Sequence, residues 1–86
     1  SYEHLEPRPG SNYRQWFLKG RRVRAALVWH DVHGPDAYTP EELARDYEVP
    51  LEAIREALDY TERNWDLIWK EHDEEEEWFR AKGIPF

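Results

Sequence analysis

Two histidine-containing stretches have the residue types and spacing of metal ligands. His30 and His33 stand three positions apart, and residues 71–73 bring Glu, His and Asp together. Two histidines at i and i+3 share one face of a helix and can bind Zn²⁺ or Ni²⁺. His33, however, directly precedes Gly34, where we expect a helix to end. We therefore interpret these histidines as surface residues and predict no metal site and no cofactor.

The sequence contains no motif that is typical of an enzyme. Its 86 residues include no Cys, which excludes thiol nucleophiles, iron–sulfur clusters and zinc ribbons. Neither a Ser-His-Asp order, a Gly-rich phosphate loop nor an HExxH motif occurs. The 19 acidic residues fall mostly on predicted helix surfaces rather than around a cleft. We predict no catalytic residues and a function other than catalysis.

The aromatic residues near the C-terminus favour protein binding. Trp65, Ile68 and Trp69 continue an apolar helical stripe beyond the length that so small a core can cover. Exposed Trp and Ile side chains are typical of interfaces. We predict partner-binding roles for seven residues: Trp65, Ile68, Trp69, Trp78, Phe79, Arg80 and Phe86. The alternative is that the N-terminal arm, with Tyr2, Leu5 and Tyr13, folds back over the stripe.

The charge is unevenly distributed along the chain, which has a net charge of −7. Residues 1–40 hold six basic and four acidic residues, whereas residues 41–77 hold four basic and 15 acidic ones. This balance argues against a general nucleic-acid binder, because Lys and Arg make most phosphate contacts. If the chain contacts nucleic acid, we expect five basic residues to make the contact: Arg14, Lys19, Arg21, Arg22 and Arg24.

Short N-terminal elements are predicted to precede the helices. Residues 1–12 are rich in Pro and Gly and are predicted to form an extended arm. Residues 13–18 and 21–24 are predicted to be two short strands on either side of a Lys-Gly turn, which together form a small hairpin or an extended ribbon. Two such strands are marginally stable alone, so we expect them to pack on helices or to pair with a second copy. A short helix is predicted to follow over residues 25–32.

Two further helices are predicted on either side of residues 48–50. Thr39, Pro40 and Glu42 form a capping box that starts the first of them. The second is predicted to run from residue 51 to about residue 77. Seven of its residues follow a strict 3,4 spacing: Leu51, Ile54, Leu58, Thr61, Trp65, Ile68 and His72. Acidic residues crowd positions 73–77, where the helix dipole disfavours negative charge, so we expect fraying there or a cationic partner.

The arrangement of these two helices is typical of a helix–turn–helix. In such motifs the front of the second helix enters the major groove of DNA. Here that front carries three carboxylates, Glu52, Glu56 and Asp59, against the single guanidinium of Arg55. We therefore do not expect this helix to bind the bases of DNA.

Three stretches carry a family resemblance: KGRRV at residues 19–23, TPEELA at residues 39–44 and PLEAIREALDY at residues 50–60. Through them, residues 13–64 resemble the small prokaryotic family called domain of unknown function 433. Arg21 departs from the family pattern, which commonly has Thr or Ser after the Gly. The resemblance implies a homeodomain-like helix–turn–helix, often dimeric, in proteins commonly predicted to be antitoxins of PIN-like ribonuclease toxins. It implies no catalytic residues.

We thus expect a mainly α protein, with a short N-terminal β-ribbon and a three-helix homeodomain-like helix–turn–helix whose third helix is long. Residues 1–12 would be an arm, residues 13–64 the domain, and residues 65–86 a helical extension and tail. The favoured hypothesis is an antitoxin that neutralises a PIN-like ribonuclease through this acidic, aromatic C-terminal segment. The alternatives are a dimeric DNA-binding regulator that uses the basic ribbon, and a stand-alone adaptor or assembly protein.

A cytoplasmic homodimer without a membrane segment is expected. No apolar run approaches the roughly 18 residues of a membrane-spanning helix. The N-terminal residues also lack the apolar core of a signal peptide.

Overall fold

The computed structural model describes residues 2–83, which form four helices and a two-stranded antiparallel sheet. The elements are β1 (Leu5–Glu6), β2 (Phe17–Leu18), α1 (Ala25–His33), α2 (Pro40–Asp46), α3 (Leu51–Arg63) and α4 (Trp65–Ala81). The predicted mainly helical class is confirmed. No helix in this part of the chain is long and apolar enough to cross a membrane.

The small sheet pairs the N-terminal arm with β2. Leu5 lies opposite Leu18, and Glu6 lies opposite Phe17. The predicted hairpin is present only in part: the regular strand partner of β2 is the arm, while Arg24 makes an isolated antiparallel bridge to Phe17 and the Leu18 N–H donates to the Val23 carbonyl oxygen at 2.9 Å. The physical reason is burial. Leu5 and Leu18 are 2% and 0% exposed, so pairing the arm with β2 adds a large apolar side chain to the core.

The start of α2 confirms the predicted capping box. The Thr39 hydroxyl accepts a hydrogen bond from the Glu42 backbone N–H at 3.1 Å, and the Glu42 carboxylate accepts one from the Thr39 N–H at 2.9 Å. Hydrogen bonding to the Thr39 backbone N–H, and then to its side chain, lowers the pKa of the Glu42 carboxyl. After α2 the chain turns through Glu48, which has a left-handed φ of 56°, and Pro50 then leads into α3.

The predicted single helix over residues 51–77 is in fact two helices. Asn64, with φ −119° and ψ 33°, separates α3 from α4. Its side-chain amide donates a hydrogen bond to the Tyr60 carbonyl oxygen at 2.8 Å. The Asn64 backbone N–H donates to the same carbonyl oxygen at 3.0 Å, so the break is a local change in the Asn64 dihedral angles, which the apolar spacing does not reveal. The second of these helices also runs past residue 77, the predicted end, and continues to Ala81.

The core lies mainly between α1 and α3. Val28 of α1 and Ile54 of α3 are fully buried. Ala25, Ala53 and Ala57 are also buried, and their small side chains allow the two helices to approach closely. This packing fixes the C-terminal end of α3, and hence the point from which α4 departs.

Candidate partner-binding groove

A groove of about 380 Å³ lies between α1 and α4. We call it the α1–α4 groove. Helix α1 lines it with Leu27, Trp29 and His30, and α4 lines it with residues between Trp65 and Glu75. The lining also includes Tyr13, Gln15, Arg24, Ala26 and Thr61. A concave surface with apolar walls and a few polar groups is the usual form of a binding site.

Five rings form a continuous row from α1 to α4, which we call the aromatic row: His33, Trp29, Trp65, Trp69 and His72. The His33 and Trp29 rings stack with centroids 4.2 Å apart. Trp29 meets Trp65 at 4.9 Å, Trp65 meets Trp69 at 5.8 Å, and Trp69 meets His72 at 5.5 Å. Trp65 remains 36% exposed and Trp69 48% exposed. The row therefore joins α1 to α4 and still presents aromatic surface to solvent.

A buried carboxylate holds α4 in place beside the groove. Glu71 is 5% exposed and accepts hydrogen bonds from the Arg14 N–H at 2.5 Å and from the Gln15 N–H at 3.2 Å. The Gln15 side-chain amide donates a third bond at 3.1 Å. The Gln15 side-chain oxygen in turn accepts from the Ala26 N–H in the first turn of α1. Gln15 thus links the start of α1 to the middle of α4.

Further polar contacts tie the segment before β2 to the acidic face of α4. The Tyr13 hydroxyl donates to Glu75 at 2.9 Å, and the Arg14 guanidinium donates to Glu74 at the same distance. Burial raises the pKa of the Tyr13 hydroxyl, and the bond to Glu75 acts in the same direction. The Arg24 guanidinium lies 4.3 Å from the centre of the Tyr13 ring. Part of the acidic run is therefore compensated within the chain.

The N-terminal arm packs mainly on α3. The Tyr2 hydroxyl donates to Asp59 at 2.7 Å, and burial together with this bond raises the pKa of Tyr2 to about 12. His4 donates from its backbone N–H to Glu56 at 2.8 Å, and its ring nitrogen pairs with the same carboxylate at 2.7 Å. Burial raises the pKa of Glu56, but the bonds from His4 outweigh it and leave that pKa below its ordinary value. The arm does fold back, yet it leaves the Trp side chains of α4 partly exposed.

The predicted partner-binding residues fall into two groups. Trp65, Ile68 and Trp69 line the α1–α4 groove. Trp78, Phe79 and Arg80 lie near the C-terminal end of α4 and outside that groove. Trp78 is 54% exposed, and Arg80 forms an ion pair with Glu76. Phe86 lies outside the described residues.

The predicted nucleic-acid residues are mostly engaged within the chain. Arg14 pairs with Glu74, and Arg24 lies over Tyr13. Arg21 donates to the carbonyl oxygens of Tyr47 and Glu48, at 2.9 and 3.1 Å, and so fixes the turn after α2. Lys19 and Arg22 are exposed. Contact with nucleic acid by these five residues stays a prediction.

Three residues of the site were missed by sequence reasoning. Trp29 stands four positions before His33, and this i, i+4 pair of rings was a usable signal for an aromatic helix face. Gln15 and Glu71 are 56 positions apart. Nothing local in the sequence marks them as partners, because their contact depends on how the whole chain folds.

Residues 2–83 contain no group of three or more His, Asp or Glu side chains that could hold a metal ion. Comparison of the chain with protein-family models, with curated proteins and with solved structures finds no match. The resemblance to the domain of unknown function 433 family therefore depends on the three quoted stretches alone.

Proposed function

We propose that the chain is a non-catalytic protein-interaction module whose binding element is α4. The observation that carries this proposal is the exposure of three Trp side chains on one helix: Trp65, Trp69 and Trp78. Trp is among the residues that contribute most to binding energy at protein interfaces. A soluble monomer gains no stability from leaving several such side chains on one element in water.

The partner we propose is a PIN-like ribonuclease, which makes the chain an antitoxin. The acidic character of α4 supports this choice, because residues 73–77 carry five consecutive carboxylates. A ribonuclease must present a basic groove to its RNA, and a helix dense in carboxylates is electrostatically complementary to such a groove. Trp78 and Phe79, whose rings meet at 5.1 Å, would be apolar anchors at the far end of α4.

Arg80 has a separate role in this proposal. Its guanidinium is paired with Glu76 on the exposed surface of α4, an interaction of the kind that contributes little to stability. It can therefore exchange this partner for carboxylates of the ribonuclease, where a bidentate pair is stronger. The same proposal includes a homeodomain-like arrangement of α1–α3, a homodimer and a cytoplasmic location.

DNA-binding regulation is the weaker alternative. Three of the five candidate arginine and lysine residues already serve internal contacts, and the front of α3 is acidic. A stand-alone adaptor would use the same exposed tryptophans, so only the identity of the partner separates it from an antitoxin.

Co-expression tests the antitoxin proposal. A PIN-like ribonuclease encoded beside this chain should arrest growth when expressed alone, and the full chain should restore growth. The variant Trp78→Ala with Phe79→Ala should restore it poorly, because the apolar anchors are lost. Arg55→Ala, an exposed change on α3, is the matched control and should restore growth fully. Equal rescue by all variants, or the lack of any such neighbouring gene, would count against the proposal.

A further inference from the structure

A second concave surface, of about 780 Å³, lies between the N-terminal arm and the turn after β2. We call it the arm–turn depression. Residues 6–11 of the arm line it together with Phe17, Gly20 and Arg22. We propose that it binds a phosphate dianion, either the free ion or the terminal group of a small monoester, between the guanidinium groups of Arg8 and Arg22. This inference goes beyond the proposed function and does not depend on α4.

The guanidinium group of Arg8 is already held in place at this depression. Its Nη1 donates to the Arg21 carbonyl oxygen at 2.9 Å, and the group lies 5.6 Å from the centre of the buried Phe17 ring. This bond uses only one of the N–H donors of the group, and within residues 2–83 the guanidinium forms no ion pair. Arg8 therefore brings a fixed positive charge and further donors to the depression.

Arg22 supplies a second guanidinium group to the same depression. Because Arg8 donates to the carbonyl oxygen of Arg21, its guanidinium lies on the peptide group that joins Arg21 to Arg22. The Arg22 side chain is exposed and, in the part of the chain that the structure describes, has no hydrogen-bond or ion-pair partner. Two guanidinium groups without carboxylate partners thus line one concave surface. Such groups bind phosphate oxygens through two parallel N–H bonds each.

A tight turn in the arm adds a hydroxyl donor. The Ser11 N–H donates to the Arg8 carbonyl oxygen at 2.9 Å, which closes a four-residue turn over Pro9 and Gly10. The Ser11 hydroxyl oxygen accepts from the Tyr13 N–H at 3.0 Å, so its O–H can still donate. The turn fixes Ser11 relative to Arg8, and both residues line the depression.

One carboxylate, that of Glu6, also lines the depression, but it does not neutralise the two arginines. It accepts a hydrogen bond from the Gly20 N–H at 3.3 Å, and among the described residues it forms an ion pair with neither guanidinium. The lining therefore carries two positive charges and one negative charge, and the exposed Lys19 directly precedes Gly20. A phosphate monoester, with a charge of about −1.5 to −2 at pH 7, fits this balance better than a singly charged diester.

The size and charge of the molecule favour a small anion over a nucleic-acid strand. Residues 41–77 hold 15 acidic and four basic residues, so a long polyanion meets repulsion beyond the depression, whereas a single phosphate group does not. The volume of the depression lies within the range of small-molecule sites, about 300–1,000 Å³. The occupant that these observations support is therefore a single phosphate group.

Titration of the full ¹⁵N-labelled chain with phenyl phosphate, in a buffer without phosphate, tests the proposal. We expect saturable shifts of the N–H resonances that line the depression: the amides of Gly10, Ser11 and Gly20 and the Nε–H groups of Arg8 and Arg22. Methyl phenyl phosphate, the singly charged diester, should bind at least about fivefold more weakly. Inorganic phosphate should shift the same resonances, and the tighter of the two phosphates identifies the occupant as the free ion or as a monoester.

Three variants localise the binding. Arg22→Gln should weaken phenyl phosphate about tenfold, because a charge-assisted contact is lost. Arg45→Gln is the matched control, since Arg45 is exposed and lies outside the depression, and the change in net charge is the same. Its affinity should stay within about twofold of the wild type, the effect of a distant screened charge. Arg8→Lys keeps the charge but loses the planar fork, and should weaken binding about threefold.

Four results would overturn the inference: no saturable shift, shifts centred outside the depression, equal affinity for the monoester and the diester, or equal weakening by Arg22→Gln and Arg45→Gln. A single-stranded oligonucleotide that binds at the same resonances more tightly than phenyl phosphate would also overturn it, in favour of a nucleic-acid surface. None of these variants changes α4, so the antitoxin proposal stands or falls separately.

Discussion

Replacement of Glu71 by Ala should strongly destabilise the fold, because this carboxylate is the polar centre that fixes α4. It is 5% exposed and accepts three hydrogen bonds from Arg14 and Gln15. Ala removes the acceptor and leaves the two Gln15 donors buried without a partner. Each buried donor without a partner costs about 1–3 kcal/mol.

The expected loss for Glu71→Ala is about 3 kcal/mol. This sum counts about 2 kcal/mol for the backbone N–H of Gln15 and about 1 kcal/mol for its side-chain amide, which can rotate toward another acceptor. The Arg14 N–H is only partly buried, so water replaces its partner at little cost. A protein of this size has a total stability of about 4–13 kcal/mol, so the loss is a large fraction of the whole. The midpoint of thermal unfolding should fall by about 15 °C.

Urea denaturation followed by Trp fluorescence and by far-UV circular dichroism measures this loss. Glu71→Gln is the milder variant, since it keeps one acceptor oxygen, and should lose about 1.5 kcal/mol. Glu77→Gln makes the same change of charge at an exposed position of α4 and should stay within about 0.5 kcal/mol of the wild type. If Glu71→Gln and Glu77→Gln are equally stable, the Glu71 network does not hold α4.

Three further outcomes follow from the structure. Thr39→Ala should cost about 1 kcal/mol in the same urea assay through loss of the α2 cap, and an unchanged midpoint would contradict the capping box. Glu56→Gln should cost about 1–2 kcal/mol at neutral pH. The pKa of Glu56 is lowered in the folded state, so its contribution to stability is present above the ordinary pKa of 4.5. This contribution is lost as pH falls through the pKa of the folded state. The stabilities of the variant and the wild type should therefore converge in acid. Burial and hydrogen bonds to carboxylates raise the pKa of both Tyr2 and Tyr47 from 10.0 to about 12. The free energy of unfolding, measured by urea titration, should therefore fall as pH rises between these two values. The double variant Tyr2→Phe with Tyr47→Phe should show a smaller fall.

Local signals in the sequence were sufficient for the elements that depend on neighbouring residues. The Thr39 capping box defined the start of α2, and Gly20, with a left-handed φ of 71°, lies in the predicted turn before Arg21. The exposure of tryptophans on α4 was also predicted, because residue spacing alone shows that the apolar stripe is longer than a small core can cover.

Long-range partners were not accessible from the sequence. The pairing of Leu5 with Leu18 depends on which strand buries more apolar surface, and the Gln15–Glu71 contact depends on the final position of α4. The break at Asn64 was missed for a different reason. The 3,4 spacing of apolar residues continues through it, while the backbone dihedral angles of the single residue Asn64 separate α3 from α4.

The central claim, that α4 is a partner-binding element, is tested most directly by calorimetric titration of the full chain with the partner we propose, a PIN-like ribonuclease encoded beside it. We predict a saturable complex that Trp69→Ala weakens at least about tenfold, the scale of an interface hot spot, while Arg55→Ala leaves the affinity unchanged. Thermal melts of the free variants exclude unfolding as the cause. Absence of binding, or equal affinity of the wild type and Trp69→Ala, would contradict the claim.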